Sequence, residues 1–349
     1  LPVSFPGLRP TGGFCPPVGY SYNKGCERMK RYILKRLVTA FLIVLVVIVL
    51  NFTIIKLAPG DPVRILAGAD TLTEEVMEAM TVKFGLDQPF HVQLGKYILN
   101  LLHGDLGTSF AYSQPVSMLI GERFGNSLLL SGTSAILAVI LGCWLGLYAG
   151  KNHGGLLDRI FSGVAYLFNS MPTFWLGMMG ILLFASTLRW LPTQGMYNLR
   201  AGYTGMAHVG DVMVHMILPC ASLVAVQIPA YFRITKTSVM QVMADDYIMT
   251  FRVTGMSERK IFRKYILKNA ILPVLTVFGI NLAYVVSGST LTEIVFSWPG
   301  IGSLMYRSIM MRDYNVLMGV YLILALTVAA MMIIVDLVYA WLDPRIRYT

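Results

Sequence analysis

The chain has 349 residues, of which 56% are hydrophobic and only 13% charged, with a formal net charge of +10. Soluble domains carry about 25% charged residues, so this balance, with a mean hydropathy of +0.64, excludes an ordinary water-soluble domain and makes lipid the solvent. The basic excess is spread along the chain instead of gathered on one patch, which argues against nucleic acid as a partner.

Residues 1–28 contain ten Gly or Pro and no apolar h-region, so they are not a signal peptide. They are expected to be a mobile leader, either non-native or translated from a mis-assigned upstream start, with "MKRYILKRL" from Met29 as the natural beginning. From there the sequence alternates long uncharged runs with polar segments. Uncharged or nearly uncharged runs fall at 37–55, 124–150, 160–188, 212–232, 269–292 and 314–335. A membrane span needs about 20 apolar residues, so six spans are predicted. Alternating ten-residue segments are absent, and the fold class is therefore an all-α integral membrane protein rather than a β-barrel.

If the start lies inside, the inner segments 30–36, 151–159, 233–268 and 343–349 hold sixteen Lys or Arg in 59 positions. The outer segments 56–123, 189–211 and 294–313 hold nine in 111. The positive-inside rule then places both termini in the cytoplasm.

The outer region 56–123 follows the first span. Thr73 is positioned to cap a helix whose first turn carries Glu74 and Glu75, which suits the helix dipole. Val92, Tyr97, Ile98 and Leu101 share one face of a second short helix, and "GLDQP" and "GDLGTS" read as turns. This region is either a packed cap or a docking surface for an external partner. Further along, Pro172, Pro219 and Pro229 interrupt spans and predict kinks. Cys143 and Cys220 lie inside apolar spans and Cys15 and Cys26 in the leader, with no metal or disulfide spacing.

Between the fourth and fifth spans stands "ADDYIMTFRVTGMSERKIFRKYILKNAILP", residues 244–273, with nine charged residues. Ser257 is positioned to cap a helix from Glu258. Ile261, Phe262, Tyr265, Ile266 and Asn269 share one face of it, and Arg259, Arg263, Lys264 and Lys268 largely the other. Residues 244–254 are also helix-compatible, with Tyr247, Ile248 and Phe251 clustered. Gly255 stands where the first helix must stop, in a left-handed C′ position. A helix–glycine–helix insert of this kind either lies on an anionic lipid surface or docks a cytoplasmic partner and passes its motion to the flanking spans.

Helix–glycine–helix ending in "ILP" between the fourth and fifth of six spans resembles the EAA loop of ABC-importer permeases. The stretch "DDYIMTFRVTGMSERKIFRKYILKNAILPVLTVFG" is similar to the dipeptide/oligopeptide/nickel branch of that family, as are "LAPGDPV", "GLDQP", "GDLGTS", "FSWPGIG", "RDY" and "LDPRIR". Met249, Thr250 and Phe251 occupy the Glu-Ala-Ala positions of the general motif. The resemblance covers almost everything from Met29 onward. It implies an inner-membrane permease subunit for peptide-like or nickel-chelate solutes. Its implied partners are a second similar permease, forming a heterodimer, two ATPase subunits that bind ATP and Mg, and an extracytoplasmic solute-binding protein. It also implies that the insert is the coupling helix, with Asp245, Asp246, Tyr247, Phe251, Thr254, Gly255, Ser257, Glu258 and Arg259 as ATPase-coupling residues.

The chain has no G-x-x-x-x-G-K-[ST] phosphate loop and no H-E-x-x-H, so no ATPase, metal or catalytic site is expected in it. An "SxxK" does occur at Ser257–Lys260, but in a cytoplasmic loop without partner motifs, and it reads as chance. Glu293 closes an otherwise uncharged run, and a charge near the bilayer centre costs about 2.5–3.5 kcal/mol on insertion scales. With Asn281, Ser287 and Ser289 it marks either a wall of a solute pathway or a structural hydrogen bond. Asp336, nearer the cytoplasmic end, reads as structural. The rival class is a self-sufficient secondary transporter or channel, which paired broken helices and internal repeats would favour. No convincing repeat is present, and no nucleophile–base constellation supports a membrane hydrolase.

Overall fold

The computed structural model describes residues 21–57, 87–283 and 289–342. The expected helix at Thr73, the pathway candidate Ser287 and the motif residues 58–63 and 343–347 lie outside the described residues. The described residues are helical, with no strand beyond an isolated bridge between Thr108 and Pro115. Among the described residues five helices are long and apolar enough to cross a membrane, and six if one sharply bent pair counts as a single span.

Helix α1 (Ser21–Leu57) is unbroken and includes residues 21–28 of the expected mobile leader. It exposes Phe41, Val46, Leu50 and Ile54 and packs on the last helix of the chain. A span so little covered by its own chain faces lipid or a partner subunit. Near its C-terminal end Phe52 meets helix α2 (Phe90–Leu102), stacking on Tyr97 at 5.6 Å and meeting Phe90 edge-on at 5.4 Å. Val92, Tyr97, Ile98 and Leu101 are half-buried as their spacing predicts. The turn after α2 is pinned from afar. Buried Asp313 accepts hydrogen bonds from Ser109 Oγ (2.5 Å) and the Ala111 N–H (3.0 Å), and Asn315 Nδ2 donates to the Thr108 carbonyl (2.8 Å). The sequence-distant "GDLGTS" and "RDY" stretches thus meet, and this part of the segment 56–123 is packed on the rest of the chain.

The centre of the bundle is the pair α3 (Val116–Lys151) and α6 (Gly205–Met243). At 1.5 Å per residue the 39 residues of α6 reach about 58 Å, well past a hydrocarbon core of about 30 Å, so its ends project beyond the lipid. Pro219 and Pro229 lie within this helix without ending it. The two helices touch backbone to backbone along Gly142, Gly146 and Gly150. A Cβ built on each would stand 2.6, 2.6 and 2.8 Å from the Cβ of Tyr231, Thr235 and Val239. Small residues at four-residue spacing permit such approach where no hydrophobic effect drives helices together. Gly146→Ala is therefore expected to force the pair apart and lower the melting temperature of the purified protein. Gly132→Ala, which meets nothing within 4 Å, should leave it unchanged. Equal melting of the two variants would refute this account of the packing.

The predicted third span, 160–188, is not a single helix. Helix α4 (Leu156–Ser170) stops at Met171, and α5 (Thr173–Gly180), continued by a π-helical stretch Ile181–Thr187, leaves at a bend of 102°. Pro172 biases Met171 out of the α region, and Met171 sits at φ −92°, ψ 134°. The proline was visible in the sequence; the size of the bend was not.

The insert forms α7 (Asp246–Val253) and α8 (Glu258–Ile261), the latter continued by a π-helical stretch Phe262–Ile266 and a last turn Leu267–Ala270. Helix α9 (Leu272–Ala283) follows, with Pro273 in its first turn, where the missing N–H costs nothing. After it come α10 (Thr290–Val295), α11 (Ile301–Met310) and α12 (Tyr314–Leu342). The segment 294–313, counted in sequence as an outer loop, instead tucks into the bundle. Trp298 is fully buried in the main core cluster with Leu130, Val224 and Tyr231, and Phe296 is buried with Ala185 and Leu218.

Candidate functional site

The insert has its own small core. Ile248 of α7, Ile261 of α8 and Ile266 of the π-helical stretch after it are buried with Val239 of α6, and Leu147 of α3 packs on them. Phe251 and Tyr265 rings lie 4.3 Å apart, and Asn269 Nδ2 donates to the Tyr247 hydroxyl at 3.0 Å. The insert is thus fastened to α3 and α6 by packing, which is what a rigid lever requires.

Its turn is a Schellman motif. The Met256 N–H bonds the Phe251 carbonyl (3.1 Å) and the Gly255 N–H the Arg252 carbonyl (3.0 Å), with Gly255 at φ +81°. Arg252 Nε to Glu258 Oε1, at 2.8 Å, closes the turn from outside. Ser257 does occupy the N-cap position of α8, but its hydroxyl makes no capping bond, and neither does the carboxylate of Asp245, the N-cap residue of α7. The capping expected of Ser257 is therefore corrected: backbone geometry alone starts these helices.

The residues named for coupling divide into two groups. Asp245, Asp246, Tyr247, Thr254, Gly255, Ser257, Glu258 and Arg259 are exposed. Phe251 turns inward against Tyr265 and belongs to the insert's core. Met249, which sequence places in the motif without a coupling role, and Val253, which it does not single out, are 62% and 78% exposed and lie one turn apart, away from buried Ile248. The signal was available: two apolar residues at four-residue spacing on a helix whose buried stripe is already complete.

Glu293 is fully buried at the N-terminus of α11. Its Oε1 accepts from Ser127 Oγ (2.6 Å) and Ser289 Oγ (3.0 Å), and its Oε2 from the Ser303 N–H (3.0 Å). Ser127 Oγ in turn accepts from the Ile301 N–H at 2.7 Å, and Ser131 donates to Ser289 at 2.7 Å. Trp298 Nε1 donates to the Asn126 carbonyl and Asn126 Nδ2 to that of Pro299, both at 2.9 Å. A Cβ at Gly300 would stand 2.4 Å from the Glu293 carboxyl carbon. A carboxylate sealed this way has no face left for solute, so the geometry favours the structural reading of Glu293 and Ser289 over a pathway wall. Asn281 likewise spends its amide on the Tyr231 hydroxyl, at 3.0 Å.

Beside the loop that follows α3, Asp158, 4% exposed, gathers Lys236, the Gly154 N–H (3.0 Å), Ser162 Oγ (3.3 Å) and His153 Nδ1 (3.2 Å). It ties the loop between α3 and α4 to α6. No group of three or more His, Cys, Asp or Glu side chains suited to a metal occurs among the described residues.

Residues 138–348 match the family of binding-protein-dependent transport system inner membrane components, and residues 29–131 match its N-terminal companion. The glutathione transport system permease protein GsiC of Salmonella typhimurium (strain LT2) is 38% identical over 320 residues, 92% of this chain and 100% of that protein. A putative peptide transport system permease protein of Brucella abortus (strain 2308) is 36% identical over the same shares of both chains. Among solved structures, the MetNI methionine ABC transporter in inward-facing conformations superposes with a TM-score of 0.51 at 17% identity, covering 65% of this chain and 97% of that one. That likeness speaks for the fold.

Proposed function

Because the chain belongs to the family of binding-protein-dependent transport system inner membrane components, and is thus a transmembrane subunit of an ABC importer, we propose that it forms half of a pathway for peptides or glutathione-like solutes. The other half comes from a second, similar permease. Two cytoplasmic ATPase subunits hold ATP and Mg, and an extracytoplasmic binding protein delivers the solute. The observation that carries this reading is the insert: a lever with a packed core, fused to α6 and α9, that presents Tyr247, Met249 and Val253 with a rim of charge. The exposed coupling residues named above form its contact with the ATPase, and both chain termini face the cytoplasm.

Purified with these partners and reconstituted with the binding protein, the complex should accumulate labelled glutathione or a tripeptide only when ATP is supplied. Uptake by this chain alone, driven by an ion gradient, would establish the secondary-transporter alternative instead. Topology gives an independent check. With Cys15, Cys26, Cys143 and Cys220 replaced, a Ser113→Cys variant should react with an impermeant thiol reagent on intact cells and a Ser257→Cys variant only after lysis. Reaction of both on intact cells would refute the orientation.

A further inference from the structure

Helix α4 is two-faced along a stretch that sequence reads as membrane span. Ser162, Tyr166 and Asn169 fall on one side at helical spacing; Ile160, Val164 and Leu167 fall on the other and are exposed. The polar side, with Arg233 and Thr237 of α6, lines a recess of about 130 Å³. The groove on the neighbouring flank of α4, about 320 Å³, is lined by Leu145, Phe161, Phe168 and Ile228 and is apolar throughout. Lipid tails fill the second without cost. The first sets an amide, a phenol and a guanidinium beside a span, and such groups face water or protein in preference to hydrocarbon. The broken backbone at Met171–Pro172 ends the same helix, and irregular backbone at membrane depth is tolerated where it is buried or lines a watery cavity.

The charges of the recess are unequal. Lys236 is spent on Asp158 and Ser162, and Asp158 is buried beneath them. Arg233 is exposed and has no hydrogen bond or ion pair among the described residues. One uncompensated guanidinium therefore stands at the inner mouth of a recess that Ser162, Tyr166, Asn169 and Thr237 line together with Ala165, Pro229 and Phe232.

We infer that this recess is an anion-recognition point on the solute route, where Arg233 receives a carboxylate of the passing solute with Tyr166 and Asn169 as polar neighbours. Guanidinium binds carboxylate in a two-pronged, charge-assisted fashion that an ammonium cannot match. The assignment rests on the permease reading and adds to it the chemical class the route favours: solutes with a free acid group. Anionic lipid headgroups share that chemistry, and the test separates them.

The full complex, with a cysteine-free permease carrying Thr237→Cys, is placed in nanodiscs of phosphatidylcholine alone or with phosphatidylglycerol. Labelling rates are compared for an anionic sulfonatoethyl and a cationic trimethylammonioethyl methanethiosulfonate. The anionic reagent should be favoured in phosphatidylcholine. Arg233→Gln should cut that preference about fivefold, the scale of one nearby charge in a wet site, and Arg233→Lys should keep most of it. Trapping with ATP and vanadate should slow both reagents, as a route that changes access demands and a lipid-facing groove does not. A reagent ratio indifferent to Arg233→Gln overturns the proposal. So does labelling unaffected by trapping, or a charge effect seen only as suppression by phosphatidylglycerol. ATP-dependent uptake by the wild-type complex, measured alongside, separates these results from failure of the permease reading itself.

Discussion

Glu293→Ala is expected to abolish recovery of folded permease from membranes, whereas Glu293→Gln is recovered at reduced stability. The alanine removes the acceptor for Ser127, Ser289 and the Ser303 N–H and opens a cavity where the carboxylate stood. Each buried donor left without a partner costs about 1–3 kcal/mol. Three together approach the whole stability of a typical domain, about 5–15 kcal/mol. The site also holds three segments of the chain to one another: α3 through Ser127, α10 through Ser289, and the N-terminus of α11, whose dipole favours a negative group there. Glutamine keeps one acceptor oxygen but turns an amide N–H₂ toward groups that are themselves donors. It should therefore lower the thermal midpoint of detergent-purified complex without eliminating it. If Glu293→Ala gives normal yield and melting but altered solute preference, the carboxylate belongs to the pathway after all.

The physical origin of this site explains why sequence half-revealed it. A lone carboxylate at the end of an apolar run announces that something must solvate it, and Glu293 was singled out on that ground. Its partner is Ser127, on a helix 166 residues earlier, and no local periodicity links the two. The same division runs through the fold. The apolar runs gave the spans, though not the 102° break in the third, because lipid imposes length, and Gly255 gave the turn because only a positive φ ends α7 there. Depth was harder. Trp298 and Phe296 sit in a short segment of mixed polarity that reads as loop, and only their packing against Leu130 and Ala185 shows that it returns into the bundle. The Gly142, Gly146, Gly150 row has a readable spacing, but which helix it meets depends on tertiary structure. Met249 and Phe251 share the motif, and only the helix angle shows that Phe251 turns inward while Met249 and, one turn on, Val253 stand outside.

That angle yields the second large effect. Met249→Asp combined with Val253→Asp should leave insertion and pairing of the permeases intact and release the ATPase subunits during purification. The two side chains are the most exposed apolar groups of α7, and a partner that covers them removes about 25 cal/mol for each Å² of apolar surface taken from water. Replacing them with carboxylates buries unpaired charge in the same contact, and central apolar anchors of this kind cost 2 kcal/mol or more when lost, roughly a thirtyfold weakening. The variants do not touch the insert's core of Ile248, Ile261 and Ile266, so its fold should persist. Gly255 sharpens the distinction between a docking lever and a helix pair resting on lipid. A Cβ there meets nothing within 4 Å, so strain comes from φ +81° alone, about 1–2 kcal/mol for an ordinary L residue. Asn tolerates the left-handed region better. Hydrolysis coupled to uptake should therefore fall in the order Gly, Asn, Ala and Val, with Ala nearer to Val than size would suggest. On a lipid surface neither the aspartates nor the glycine series would disturb ATPase retention, and charge reversal at Arg259, Arg263 and Lys264 would release the insert from anionic vesicles instead. Normal retention of the ATPase by the double aspartate variant would refute α7 as the docking face.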